Sequence, residues 1–351
     1  MLSTIALTTV SFLGVLVILI FTHEIGHFAA AKLSGVKVEE FGIGFPPRLF
    51  SFRRGETLYS LNAIPLGGFT KLLGEEDPTL PGSLASKSIA TRFLVLSAGS
   101  LMNILLPILL FSISFMIPHD MLLEKVQVQE VAPDSPAQSV GIQTGDIILE
   151  INGHPVKNRG DVGYFVRLGL DSEVTILLQK ADLSKEEARM KPRWNPPEGQ
   201  GAIGVIITGT DSTIIRESYP VWEAVPFSIR HCWEILVLFR NEVASWFIRG
   251  SVPQLSGPIG IAQMTGEVAK AGISPLLEFA ALISINLAIV NLFPFPGLDG
   301  GRIVFLALEW VRRGKRISPK REGLVHLIGF IVLIMLIVVV SYFDVIHIMQ
   351  G

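Results

Sequence analysis

The sequence predicts a membrane protein of the α-helical class. Four transmembrane helices carry an inserted extracytoplasmic β-rich domain and a small membrane-associated β-element. Three observations predict this. Four long apolar stretches are separated by polar chain. Only 17% of the 351 residues are charged, against about 25% in soluble chains. The long interval between the second and third apolar stretches breaks into short alternating runs separated by turns, the pattern of strands.

Residues 1–22 contain no charged side chain, and a helix of that length spans roughly 33 Å, enough for a hydrocarbon core. The stretch has no basic leading region and is longer than the apolar part of a secretion signal, so it is read as a span rather than a cleaved leader. Further apolar stretches cover 93–117, 276–293 (with Asn286 and Asn291 inside) and 324–343. Basic residues fall in two places. Lys32, Lys37, Arg48, Arg53, Arg54, Lys71, Lys87 and Arg92 lie between spans one and two. Arg302, Arg312, Arg313, Lys315, Arg316, Lys320 and Arg321 lie between spans three and four. The positive-inside rule puts both loops in the cytoplasm, and the two ends and the long middle segment outside it. The expected organisation is a membrane core over 1–118, a β-rich domain over 119–212, an amphipathic linker over 213–275 and a second part of the membrane core over 276–351.

Within the first cytoplasmic loop, residues 57–71 alternate in part and then turn at Pro65-Leu66-Gly67-Gly68. They read as a β-hairpin or short sheet. Backbone at membrane depth must be satisfied inside protein, so this segment is expected to line a cavity. Residues 180–201 are polar and proline-rich and read as a loop. Residues 217–249, with Trp222, Trp233 and Trp246, read as an amphipathic helix or helix pair, either at the membrane interface or packed on the β-rich domain.

Chemistry concentrates in two places. His23-Glu24-Ile25-Gly26-His27 is an H-E-x-x-H sequence. On a helix, positions i and i+4 share a face, so both imidazoles can reach one zinc ion while Glu24 acts as base on a metal-activated water. The motif begins where the uncharged run of span one ends, and ionisable groups at membrane depth are costly enough to point to function. A catalytic zinc needs a third protein ligand and an open position. The single cysteine, Cys232, excludes a disulfide framework and a cysteine-rich site. Asp299 is the best remaining candidate. Pro294 and Pro296 should break span three near its inner end, and Gly300 and Gly301 permit close backbone approach. The competing role for Asp299 is a plain helix N-cap.

The segment 135–156 (SPAQSVGIQTGDIILEINGHPV) resembles a PDZ domain of the kind found on bacterial membrane and periplasmic proteases. The resemblance rests on Gly141, Gly145, Asp146, Ile148, Ile151, Asn152 and Gly153. PDZ domains bind extended peptides at a sheet edge. The alternative is a structural domain that limits access by bulk.

Taken with Asn291, Pro294, Pro296, Leu298, Asp299, Gly300 and Gly301, the H-E-x-x-H sequence resembles the site-two protease family of intramembrane zinc metalloproteases, in its bacterial regulator-processing branch. Passages 41–46, 65–69, 98–103 and 255–260 are also similar to the family. The resemblance implies Zn2+ held by His23, His27 and Asp299, with Glu24 as the catalytic base. It implies substrate contacts from Asn291 and Asn286, beside Pro294 and Pro296, with interhelical bonding as the other role open to Asn286. It implies single-span membrane proteins as substrates, such as anti-sigma factors or remnant signal peptides already shortened outside. It also implies location in a bacterial inner membrane. Only one PDZ-like unit is visible, where some relatives carry two.

Two other classes fit parts of the pattern. One is a metal-ion transporter, but no span carries a continuous polar stripe. The other is an inactive adaptor working through the PDZ-like segment, which leaves Glu24 without a purpose. The net charge of −2 gives no reason to expect a nucleic-acid partner.

Overall fold

The computed structural model describes residues 2–75, 77, 79–170, 172–250 and 256–350. Leu255, first residue of the 255–260 passage, lies outside them, as do both terminal residues. The chain divides into two units, Met1–Ser114 with Leu255–Gly351, and Phe115–Gln254.

The first unit opens with helix α1 (Leu2–Leu33), which continues the first apolar run through the H-E-x-x-H sequence without a break. Nothing in that stretch can stop a helix: it holds no proline, and Gly35, in the left-handed region, follows its end. Strands β1 (Val38–Arg54) and β2 (Thr57–Leu72) form a small sheet whose first turn, between residues 48–54 and 57–62, uses Gly55 at φ 62°. The sequence suggested a turn at Pro65–Gly68. β2 does reverse there: its residues 58–61 run parallel to 40–43 of β1 on one side, and its residues 68–71 run antiparallel to the same residues on the other, with Gly68 opposite Ile43 and Phe69 opposite Gly42. The glycines there also permit close approach. A Cβ on Gly67 would run into the Phe45 ring, and one on Gly42 into the Phe69 ring. Helix α2 (Ile89–Met116) follows.

The second unit holds strand β3 (His119–Val131), helix α3 (Pro136–Ser139), β4 (Ile147–Ile151), β5 (His154–Pro155), helix α4 (Arg159–Leu168), β6 (Val174–Gln179), β7 (Lys185–Met190), β8 (Val205–Glu217) and helix α5 (Val221–Arg249). The strands make an antiparallel sheet in the order β7-β6-β4-β3-β8, with β5 paired to β4. Period-two alternation puts Val126, Val128, Ile148, Ile151, Val174, Ile176 and Leu178 on one buried face, closed by Val162 and Val166 of α4. Gly145 at φ 97° and the Asn152-Gly153 pair at φ 51° and 75° make the turns that flank β4. Helix α4 is closed at its start by a capping box between Asn158 and Asp161. The tryptophan-bearing segment is the single helix α5. It packs on α4, where Asn241 Nδ2 donates to the Arg167 carbonyl at 2.8 Å and Tyr164 Oη donates to Glu234 at 3.0 Å.

The chain then returns to the first unit with α6 (Pro258–Ala271), α7 (Ile273–Leu292), α8 (Asp299–Val311) and α9 (Pro319–Gln350). Four of the described helices, α1, α2, α7 and α9, are long and apolar enough to cross a membrane. These are the four expected spans. Helix α7 stops at Leu292, just before Pro294 and Pro296, so the expected break occurs where proline requires it. Asp344 of α9 is buried and accepts from the backbone amides of Gly257 and Gly260 at 3.1 and 2.8 Å. It thereby satisfies the exposed start of α6.

Candidate metal centre

The centre lies wholly in the first unit. His23 and His27, one turn apart on α1, point the same way. Asp299 reaches them from the first position of α8. His23 Nε2 and His27 Nε2 are each 3.2 Å from Asp299 Oδ2 and 3.2 Å from one another. Ligand atoms bound tetrahedrally to one zinc ion at about 2.0–2.1 Å lie about 3.3 Å apart. The donor triangle therefore fits such an ion, and no other group of three or more His, Cys, Asp or Glu side chains among the described residues is placed to hold a metal.

Each arm of this triangle is set by local structure. Pro294 and Pro296 end α7, and the loop 293–298 is pinned by Gly297, at φ 100°, whose amide donates to His326 Nδ1 at 3.0 Å. Gly300 and Gly301 then sit against the carbonyls of Leu292, Phe293 and Phe295, where any Cβ would collide. Helix α8 can therefore start directly beneath the end of α7, which carries Asp299 to the histidines. Asp299 lies one position inside the helix, where Leu298 is the cap. Its negative charge is favourable there as well. Further along α8, buried Glu309 accepts from Arg92 at 2.7 Å and Arg316 at 3.0 Å, and Arg316 also donates to the Ala85 carbonyl. Burial alone would raise the Glu309 carboxyl, but the hydrogen bonds from Arg92 and Arg316 outweigh it and hold it below the ordinary carboxylate range.

Helix α2 forms the floor. His27 Nδ1 lies 2.8 Å from the Val95 carbonyl, which fixes the ring and leaves Nε2 to face the other donors. Gly99 is directly under both imidazoles, and a Cβ there would overlap His27 Nε2 and approach His23 Cε1 to 2.7 Å. Gly26 makes the matching contact on α1, against the Ala98 carbonyl.

The wall opposite is β2. Thr70 Oγ1 donates to Glu24 Oε2 at 2.7 Å, and Gly68 leaves room for the Glu24 side chain, whose Cγ would lie 2.9 Å from a Cβ at that position. Between these walls is a cavity of about 370 Å³, lined by the three donors, Glu24, the Gly68–Leu72 stretch and, on the far side, Glu75 and Arg302. Arg302 and Glu75 pair at 2.8 Å.

The structure thus brings His23, Glu24, His27 and Asp299 together. Asn291 is half-buried in the last turn of α7, Asn286 is exposed on the same helix, and Pro294 and Pro296 lie in the loop. None of these four lines the cavity. Val95, Gly99 and Thr70 went unassigned in the sequence. The 98–103 passage includes Gly99 but gives no chemical reason for it, and Val95 acts only through its backbone.

A carboxylate beside a two-histidine, one-aspartate donor set, held among membrane-length helices, fits one class: a membrane metallohydrolase. The chain belongs to peptidase family M50, whose model matches residues 11–336. A candidate zinc metalloprotease of Clostridium acetobutylicum is 35% identical over 94% of this chain and 95% of its own. One from Rhizobium meliloti is 33% identical over 96% of both chains. The zinc metalloprotease RasP of Oceanobacillus iheyensis is 28% identical over 96% of this chain and 98% of its own. A solved PDZ domain of an SdrC-like protein from Listeria monocytogenes is 27% identical over 24% of this chain and 88% of its own, with a TM-score of 0.22.

Proposed function

We propose that this protein is an intramembrane zinc metalloprotease. It hydrolyses the transmembrane segments of single-span membrane proteins, of the anti-sigma-factor or remnant-signal-peptide kind, after their outer parts have been trimmed. Membership of peptidase family M50 and the relatives named as zinc metalloproteases make it a zinc-dependent peptidase. The observation that carries the finer reading is the 3.2 Å triangle of His23, His27 and Asp299 beside Glu24, on a helix long enough to span a bilayer.

His23, His27 and Asp299 are the residues that would hold zinc, and the ion supplies Lewis-acid polarisation of a peptide carbonyl and of water. Glu24, aimed by Thr70, accepts the proton of the attacking water and returns it to the departing amine. A helix hides its scissile carbonyl in its own hydrogen bonds, so the substrate must enter extended. The Gly68–Leu72 stretch of β2 lines the cavity and can pair with such a segment by strand addition. Asn291, Asn286, Pro294 and Pro296 are assigned to substrate by the motif they belong to. Asn286, on the open side of α7, is reachable by an incoming helix.

The distribution of Lys and Arg supports an inner-membrane orientation with both ends and the second unit outside the cytoplasm. The Gly145 and Asn152-Gly153 turns and the sheet they flank support a PDZ-like reading of that unit, which would bind peptide ends or exclude large ectodomains.

Cleavage tests the proposal. Wild type and Glu24→Gln are purified in detergent and given a tagged single-span substrate with a shortened ectodomain, with and without a zinc chelator. Chelator-sensitive cleavage by wild type alone is expected. Cleavage that survives Glu24→Gln, or none by zinc-loaded wild type across several such substrates, would overturn it.

A further inference from the structure

His23 and His27 are chemically alike but supported differently. His27 Nδ1 meets a backbone carbonyl, which can only accept. His23 Nδ1 meets the carboxamide of Asn103 on α2, with Nδ2 the near atom at 3.4 Å. Asn103 is fully buried, and its Oδ1 has no hydrogen-bond partner among the described residues. Its backbone is also held, since Ser284 Oγ of α7 donates to the Asn103 carbonyl at 2.8 Å.

An amide N–H facing His23 Nδ1 makes that nitrogen the acceptor and leaves the ring proton on Nε2, which here faces Asp299 Oδ2 at 3.2 Å. An imidazole that ligates through Nε2 needs the opposite arrangement. Its proton sits on Nδ1, where an outer partner accepts it. A half-turn of the Asn103 amide exchanges its nitrogen and oxygen within the same volume. That turn would put Oδ1 opposite His23 Nδ1 and give the orphaned oxygen the partner a buried acceptor requires.

Building on the metal site proposed above, we propose that Asn103 is the positioning residue for His23, its amide oxygen accepting from His23 Nδ1 when Nε2 faces a metal ion. An amide, unlike the carbonyl under His27, can serve both arrangements: it donates to the metal-free ring and accepts from the ligating one.

The test is zinc affinity of the full-length protein in detergent, measured by competition with a chromophoric chelator after metal removal. The variants are Asn103→Leu, Asn103→Asp and Asp299→Ala. Asn103→Leu keeps the volume but removes both polar atoms, and the expected loss is about 10–100-fold in affinity. Asn103→Asp keeps an acceptor in either orientation and should bind at least as tightly as wild type. Asn103→Leu with an unchanged melting curve and wild-type affinity would overturn the assignment, as would Asn103→Asp binding as weakly as a chelated control. If Asn103→Leu does not fold, Asn103→Asp decides alone. Failure of the underlying site looks different: wild type and Asp299→Ala would then bind zinc equally.

Discussion

The Thr70 hydroxyl donates to the Glu24 carboxylate at 2.7 Å and lies 3.2 Å from the Glu24 carbonyl oxygen. One side chain on β2 therefore meets both the backbone and the carboxylate of Glu24 on α1. In the mechanism proposed above, this β-element aims the carboxylate. Thr70→Val keeps the shape and removes the bond. A hydrogen bond to a charged group contributes about 1.5–3 kcal/mol, so kcat should fall about 10–100-fold with bound zinc unchanged. Parallel turnover and metal analysis would show it, and a loss of metal would mean that Thr70 acts on the donors instead.

Glu24→Gln should retain the metal and lose about 10²–10⁴-fold in cleavage rate, the usual contribution of a positioned base. Metal content and single-turnover rate, measured on the same preparation, separate this from loss of the site.

Asp299→Asn should bind zinc more weakly by a factor above the roughly 10–100-fold that losing an outer partner costs, because it removes an anionic donor from the triangle. Equal zinc content in variant and wild type after dialysis against a weak chelator would count against Asp299 as a ligand.

Gly99→Ala should abolish activity. Its methyl would occupy the space of His27 Nε2, so either the imidazole or α2 must shift. Gly163→Ala, on α4 where a Cβ meets nothing within 4 Å, should leave activity intact and add roughly 0.5–1 kcal/mol of stability. Melting curves and cleavage assays on the pair distinguish a site-specific collision from a general intolerance of added bulk.

Glu309→Gln should destabilise the first unit, because it leaves two arginines facing a neutral group. Breaking a buried pair costs about 3–5 kcal/mol, and the partly open Arg316 puts this case at the lower end. The folded Glu309 carboxyl titrates below its unfolded value. Its contribution is therefore fully present above the unfolded value of about 4.3 and is lost as pH falls through the folded one. The gap in melting temperature between wild type and variant should be constant above about pH 5 and shrink on further acidification. A gap that widened in acid would contradict the sign.

What the sequence revealed was what is local. His23 and His27 are legible because helical spacing alone puts them on one face. Asp299 is legible because Pro294 and Pro296 must end the helix before it. The spans are legible from uninterrupted apolar runs. Contacts that depend on packing were not. Nothing near residue 70 in the chain says that Thr70 meets Glu24, and Gly99 looks like any small residue of a membrane helix until the imidazoles are seen above it. The β-element was legible in its alternating runs and in its reversal near Pro65–Gly68, but the close contacts of Gly42 with the Phe69 ring and of Gly67 with the Phe45 ring were not, because glycine serves turns and close contacts equally well. Helix α5 was legible as a helix, while its packing on α4 depends on Asn241 and Tyr164, whose partners lie in distant segments.

His27 and Asp299 meet across 272 residues of chain, with the whole second unit between them. Two histidines alone are one ligand short of a catalytic zinc site. A chain synthesised as far as the second unit therefore holds two of the three ligands of the proposed site. In the proposed site the scissors acquire their rivet only with α8, which begins at Asp299. On the proposed reading, the ability to cut is the last property the growing chain acquires.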